Sequence, residues 1–158
     1  MRVTTAATTA AVLSAMSLGG CAAASSSEHL PASTTTTPAV TACSLLAATE
    51  AATLLQSPSP VRPTMQGVGL CNYAETIAAD SPRITIGYGT ATAPLAQPAG
   101  STAVTVDGVQ AYWTPSGSNA GTLSTVHHGH YVNVTVAGVS KPQQAAQTAL
   151  SAALSTAG

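Results

Sequence analysis

The sequence predicts an α+β domain in which an antiparallel β-sheet meander packs against an N-terminal and a C-terminal helix. Three observations predict this class. Apolar residues recur at helical spacing near each end of the region 42–158, and six short segments rich in β-branched and aromatic residues lie between them. Gly, Pro and Asp residues separate these segments. The chain is 45% hydrophobic and has no Phe, so Val, Leu, Ile, Ala, Tyr and Trp113 must fill one core.

The first element is a helix, which the apolar spacing predicts over 48–56. Leu54 and Leu55 close its apolar face. The run Ser57-Pro58-Ser59-Pro60 follows directly and is expected to end the helix, because proline cannot continue it.

Six strands are predicted next, each a short run that alternates or is rich in strand-forming residues. They cover 67–75, 83–88, 102–106, 109–113, 122–127 and 130–136. Asp107-Gly108 and His128-Gly129 are predicted to be two-residue hairpin turns, since glycine accepts the positive φ that such turns require.

The last strand alternates in a way that indicates one buried face. Val132, Val134 and Val136 share one side of it, and polar residues occupy the other. A terminal helix is predicted to cover that face, with Ser140 as its N-cap and Gln143 completing a capping box. Its apolar stripe consists of Ala146, Leu150 and Leu154, flanked by Ala149 and Ala153.

Residues 1–20 have the composition of a targeting segment and are excluded from the fold. Arg2 precedes an apolar stretch diluted with Thr, and Leu18-Gly19-Gly20-Cys21 closes it in the manner of a bacterial lipobox. This resemblance to lipoprotein signals implies cleavage before Cys21, a diacylglycerol on its sulfur and often a fatty acid such as palmitate on its amine. Two acyl chains suffice for stable anchoring. The alternative is an ordinary secretory signal that contains a chance cysteine.

Residues 21–41 are interpreted as the lipidated cysteine and a disordered tether rich in Ser, Thr, Pro and Ala. Such a segment buries too little apolar surface to repay its ordering entropy. Residues 42–158 are then a single α+β domain.

Cys43 and Cys71 remain once Cys21 is assigned to lipid. In an exported protein they are expected to form a disulfide. The alternative is a pair of free redox thiols, which the absence of a Cys-x-x-Cys motif disfavours.

The charge of the chain excludes two classes of function. Without Arg2, three basic and five acidic residues remain. Nucleic-acid binding requires clustered Lys or Arg to displace counterions, so no nucleic acid is expected as a partner. A polybasic membrane-surface role fails for the same reason.

Three segments carry a family resemblance. They are Ala42-Cys43-Ser44-Leu45-Leu46 with Glu50 after it, Cys71-Asn72-Tyr73, and the run from Gly108 to Trp113. In this order, and behind a lipobox, they resemble small actinobacterial lipoproteins of domain-of-unknown-function family 3558, over nearly all of 42–158. The family pattern has Thr where this chain has Ala47. The resemblance implies an envelope-anchored α+β domain with bridged cysteines, and it implies no activity.

His127, His128 and His130 form the one cluster that suggests metal chemistry. Three imidazoles in four residues can supply zinc or copper ligands. If His128-Gly129 is a turn, however, only His127 and His130 form a cross-strand pair, which leaves two convergent nitrogens. A polar hairpin tip is therefore the favoured interpretation, a metal site is the alternative, and no cofactor is expected.

No catalytic motif is present, whether a nucleophile elbow, a phosphate loop, His-Glu-x-x-His or Ser-x-x-Lys, so the chain is not expected to be an enzyme. Trp113 is predicted to be core and Tyr112 to point outward. Cross-strand packing explains Tyr112 most simply. The sharper hypothesis joins Tyr112 and Tyr131 in a ligand-binding surface on an uncovered sheet face.

Together these observations predict an exported, lipid-anchored protein on the extracytoplasmic face of the cell membrane. The favoured function is a non-enzymatic binding or protein-interaction module of the cell envelope, with an envelope protein among its expected partners. A carrier of a lipid or other apolar ligand is the alternative, and a metal-binding protein follows it.

Overall fold

The computed structural model describes residues 39–158, which form a seven-stranded antiparallel sheet with its helices on one face. The predicted α+β class is confirmed. The signal segment, Cys21 and most of the tether lie outside the described residues. A short 3-10 helix, Ala42–Ser44, precedes the two α-helices, which are α1 (Ala48–Leu54) and α2 (Pro142–Ala157). The strands are β1 (Arg62–Met65), β2 (Leu70–Ala74), β3 (Arg83–Thr90), β4 (Thr102–Val106), β5 (Val109–Pro115), β6 (Ala120–His127) and β7 (His130–Ala137).

The strand order is β1-β2-β3-β7-β6-β5-β4. Two meanders, β1 to β3 and β4 to β7, are joined by the pairing of β3 with β7 at the centre of the sheet. Residues 91–101 carry the chain from β3 to β4 at the far edge. Both predicted hairpin turns are confirmed, with φ of +50° at Asp107 and +49° at His128 and a positive-φ glycine after each.

The predicted strand over 67–75 is wrong in its bounds. The structure has β2 at Leu70–Ala74 and places a separate edge strand, β1, before it. Gly67 and Gly69 have φ of +72° and +80° and lie in the turn between β1 and β2. Pro63 disfavours a strand in a sequence reading, yet it is tolerated in β1 because an edge strand leaves one row of N–H groups free.

The helix boundaries also differ from those predicted. The first helix ends at Leu54, two residues early, and Gln56 takes a left-handed conformation with φ of +52°. Ser140 is not the N-cap of α2: Lys141 occupies that position, and its side chain makes no capping hydrogen bond. A cap at Ser140 would need Lys141 as the first helical residue, but a residue that precedes proline is disfavoured in the helical region, and Lys141 has φ of -129° and ψ of 70°.

The core lies between the sheet and α2. The three valines of β7 and the stripe residues Ala146, Leu150 and Leu154 are buried, as predicted, and so is Trp113. The Trp113 ring crosses β6 at Gly121, where a Cβ atom would lie 2.4 Å from the indole. Glycine is therefore required there to let the indole lie flat on the sheet.

The Cys43–Cys71 disulfide is present and ties the 3-10 helix to β2. Beside it the buried Tyr73 donates its hydroxyl proton to the carbonyl of Leu46 at 2.9 Å and approaches that of Cys43 at 3.1 Å. Burial raises the pKa of the Tyr73 phenol. The bridge and this side chain together fix the N-terminal segment against the sheet.

Candidate ligand-binding face

The sheet has a second face that no helix of the described residues contacts, here called the outer face. The cross-strand register assigns to it the even-numbered residues of β1, β2, β5 and β6 and the odd-numbered residues of β3, β4 and β7. None of these strand residues is acidic. The outer face is thus mainly polar, whereas the opposite face forms the core.

A row of hydroxyl and amide side chains crosses the outer face on six adjacent strands and is here called the threonine row. Neighbouring strands place its members opposite one another, in the order Thr64, Asn72, Thr85, Thr135, Thr122 and Thr114. The hydroxyl oxygens of Thr122 and Thr135 lie 2.9 Å apart, and the Thr85 hydroxyl donates to the Asn72 amide oxygen at 3.1 Å. Adjacent strands in a sheet are about 4.8 Å apart, so the row presents polar groups at a regular interval.

Tyr112 and Tyr131 lie beside this row and share one neighbour. Tyr112 is directly opposite Ser124, and the Tyr131 hydroxyl is 3.3 Å from the Ser124 hydroxyl. Both tyrosines are half-buried, so each ring is partly accessible. The structure therefore brings together the two residues that the sequence analysis named for a ligand surface, and it confirms that Tyr112 points away from the core that holds Trp113.

Asn133 covers the centre of the outer face because Gly87 leaves space for it. A Cβ atom at Gly87 would lie 2.3 Å from the Asn133 Oδ1 atom. The Asn133 amide therefore lies over β3, in the cross-strand row that also holds Ser124 and Tyr112. Any side chain larger than glycine at position 87 would displace it.

The segment 91–95 borders the tyrosine end of the outer face. With Gln110, Tyr112 and Val126 it lines a cleft of about 430 Å³. The Ala91 N–H donates to the Gly129 carbonyl at 2.8 Å, which fixes the segment to the β6–β7 turn. Tyr112 thus lies between this cleft and Ser124.

Two cations lie at the opposite end of the outer face. Arg62 and Arg83 flank Ala74 in one cross-strand row next to the threonine row. The Arg83 guanidinium donates to the Ala79 carbonyl, while the Arg62 side chain is exposed. The face therefore combines neutral hydroxyls and amides over most of its area with positive charge at one margin.

The three histidines lie at the β6–β7 turn, away from the threonine row. His127 and His130 form the predicted cross-strand pair, on the core side of the sheet. The His127 ring stacks on His128 at 3.8 Å between centroids, and the His130 ring stacks on Tyr88 at 4.9 Å. Within residues 39–158 no three His, Cys, Asp or Glu side chains are grouped so as to hold a metal ion.

The threonine row was not found by sequence reasoning. Alternating threonines are visible within single strands, such as Thr122 in β6 and Thr135 in β7. Their alignment depends on the register between strands, including the β3–β7 pair that joins distant segments. A strand order was needed before the row could be recognised.

The outer face can accept and donate hydrogen bonds along a regular array, and it can pack two tyrosine rings against a ligand. None of the helices described between residues 39 and 158 has the length and hydropathy of a membrane span. Comparisons of the chain with protein-family models, with curated proteins and with solved structures found no match.

Proposed function

We propose that this chain is a lipid-anchored, extracytoplasmic protein of the cell envelope that acts as a non-enzymatic binding module, with the outer face as its binding surface. The observation that carries the proposal is the threonine row, which spans six strands on a face that no helix of residues 39–158 covers. Cross-strand threonine pairs also stabilise a sheet, so the argument rests on the position of the row on this uncovered face.

The chemistry of the face favours a hydroxyl-rich ligand such as an envelope glycan. Threonine and tyrosine hydroxyls and asparagine amides both donate and accept hydrogen bonds, as sugar hydroxyls do. Tyr112 and Tyr131 add amphipathic rings on which an apolar sugar face can pack. Arg62 and Arg83 at one margin would tolerate an acidic substituent on the ligand.

The cellular location is proposed from the sequence of the N-terminal segment. Leu18-Gly19-Gly20-Cys21 supplies the lipidation signal, and the Cys43–Cys71 bridge supports export, since disulfides persist in oxidising compartments. Membership of the lipoprotein family 3558 is proposed on the residues that carry the resemblance.

The carrier and metal alternatives receive less support from the structure. Leu123, Val134 and Leu150, which lie between the sheet and α2, are fully buried, and the clefts that border α2 are lined mainly by polar residues, so the geometry there does not favour an apolar ligand. The histidines stack on other rings instead of converging on a common point. The outer face is the site that the geometry favours.

A co-sedimentation experiment tests the proposal. The mature chain would be mixed with cell-wall polysaccharide freed of protein and lipid, and the bound fraction measured for wild type and for Thr122→Val/Thr135→Val. Valine replaces each hydroxyl with a methyl group of similar size, and two lost hydrogen bonds at about 0.5–1.5 kcal/mol each predict binding that is roughly 5- to 150-fold weaker. Thr148→Val/Thr156→Val on the exposed side of α2 is the matched control.

Equal binding by both double variants would show that the outer face is not the glycan site. If wild type does not sediment with the polysaccharide but is retained on immobilised envelope protein, and the Thr122→Val/Thr135→Val variant is not, the partner is a protein bound by the same face.

A further inference from the structure

The tip of the β1–β2 hairpin exposes large apolar side chains, of which Leu70 lies at the margin of the outer face and away from the threonine row. Met65 is 61% exposed, Leu70 is 42% exposed and Val68, at the apex of the turn, is fully exposed. These three residues are here called the apolar hairpin. Exposed single apolar residues are ordinary on a protein surface, but these three also line one cleft, which makes them a candidate interaction surface.

The first described residues of the chain lie against the same hairpin. Val40, Thr41 and Ala42 form the other wall of a cleft of about 600 Å³ beside it, with Tyr88 between them. None of the nine residues that line this cleft carries a charged side chain. The apolar hairpin and the start of the domain are therefore parts of one uncharged apolar surface.

Val40 marks the place where the segment from Cys21 reaches this surface. Residues 22–38 connect Cys21 to the described part of the chain, which begins at Ala39. If flexible, a segment of this length has a root-mean-square span on the order of 25 Å. A domain of this size has a radius of gyration of about 14 Å. Val40 is 19 residues from Cys21 along the chain, so the apolar hairpin lies beside the point where the chain from the proposed anchor enters the domain.

We propose that the apolar hairpin rests in the interface of the membrane that carries the lipid anchor. This inference rests on the proposed lipidation of Cys21. A tether of this length holds the hairpin at high effective concentration near the bilayer, so a contact too weak to bind a free domain suffices. Because the surface is uncharged, the contact depends on buried apolar area and not on anionic lipid.

Membrane contact through the apolar hairpin also determines the orientation of the outer face. The apolar hairpin lies at one end of β2, so contact through it turns the ends of the strands toward the bilayer. The outer face then stands across the membrane plane and remains accessible to a ligand in the envelope. The His128-Gly129 turn lies at the same end of the sheet, beyond Tyr88.

Tryptophan placed at two equally exposed positions provides the test. Val68 and Ile77 have relative exposures of 105% and 106%, and they lie beyond opposite ends of β2, a strand about 17 Å long. The lipidated mature forms of Val68→Trp and Ile77→Trp would be reconstituted separately into phosphatidylcholine vesicles with brominated acyl chains. Wild-type protein supplies the signal of the buried Trp113, which is subtracted.

We expect the added emission of Val68→Trp to fall by about half, since an interfacial side chain lies roughly 5–10 Å into the headgroup and acyl boundary. Ile77→Trp should be unaffected, and raising the salt concentration should change neither result. Flotation of the vesicles reports anchoring independently. Protein that floats while neither tryptophan is quenched overturns the membrane contact and leaves the lipid anchor intact.

Other outcomes identify a different occupant. Protein that does not float contradicts the lipidation of Cys21, and it thereby also overturns the membrane contact of the apolar hairpin. A blue shift of Val68→Trp emission that grows with protein concentration in the absence of vesicles would show that a second copy covers the apolar hairpin. That result would also overturn the proposal.

Discussion

Reduction of the Cys43–Cys71 bridge is predicted to remove about 3.6 kcal/mol from the free energy of unfolding. The bridge closes a loop of 28 residues, and the loop-entropy relation at 25 °C gives this figure. For a domain of this size the same loss lowers the melting temperature by about 14 °C. The reduced chain keeps the buried Tyr73 contacts, so it is expected to fold to the same structure with lower stability.

The assay is urea unfolding of a Cys21→Ala form with and without reductant. The unfolding midpoint should fall on reduction, and the slope against urea should rise, because the unbridged unfolded chain exposes more surface. A Cys43→Ala/Cys71→Ala variant that is insensitive to reductant serves as the control. Identical midpoints for the oxidised and reduced protein would refute the reasoning, since the bridge would then constrain nothing in the unfolded chain.

Three further predictions concern single side chains. Gly87→Ala should cost about 0.5–1.5 kcal/mol by denaturant unfolding, because its Cβ displaces the amide of the half-buried Asn133 side chain, and Asn133→Ala in the same chain should restore the loss; no rescue would argue against the overlap. Gly121→Ala should cost about 1–3 kcal/mol, because its Cβ overlaps the buried Trp113 indole, and it should weaken the near-ultraviolet circular dichroism of Trp113; an unchanged spectrum would contradict the contact. Tyr73→Phe should cost about 1–2 kcal/mol by denaturant unfolding, because the buried Leu46 carbonyl loses its hydrogen-bond donor and the Cys43 carbonyl loses a close hydroxyl group. Burial raises the folded-state pKa of Tyr73 above its ordinary value of about 10, so wild-type stability should fall as pH rises through that value toward the folded pKa; a Tyr73→Phe variant with the same pH slope would exclude this residue as the cause.

The local elements of the fold were accessible from sequence because short-range chemistry determines them. Asp107-Gly108 and His128-Gly129 fixed two hairpins through their positive φ values. Alternation in β7 and helical spacing in α2 identified both sides of the core. Failures occurred where another constraint prevailed: Pro63 concealed an edge strand, and Pro142 kept Lys141 out of the helical conformation that a cap at Ser140 requires.

Only part of the candidate site could be predicted from the sequence. Tyr112 could be assigned to the outer face because it alternates with Trp113 in one strand. The threonine row could not, because Thr85 and Thr135 meet only through the pairing of β3 with β7, which are far apart in the chain. Long-range strand pairing reflects the packing of the whole domain, and a local pattern does not encode it.

Photo-crosslinking in the native envelope tests most directly whether the outer face is the binding surface. A photoreactive phenylalanine analogue would replace Tyr112, and in a separate control it would replace Thr148 on the exposed side of α2. The proposal predicts that irradiation produces a discrete covalent adduct at position 112 and none at position 148, with mass spectrometry identifying a glycan as the attached group. Adducts that form at position 148 and not at position 112 would contradict the assignment of the outer face.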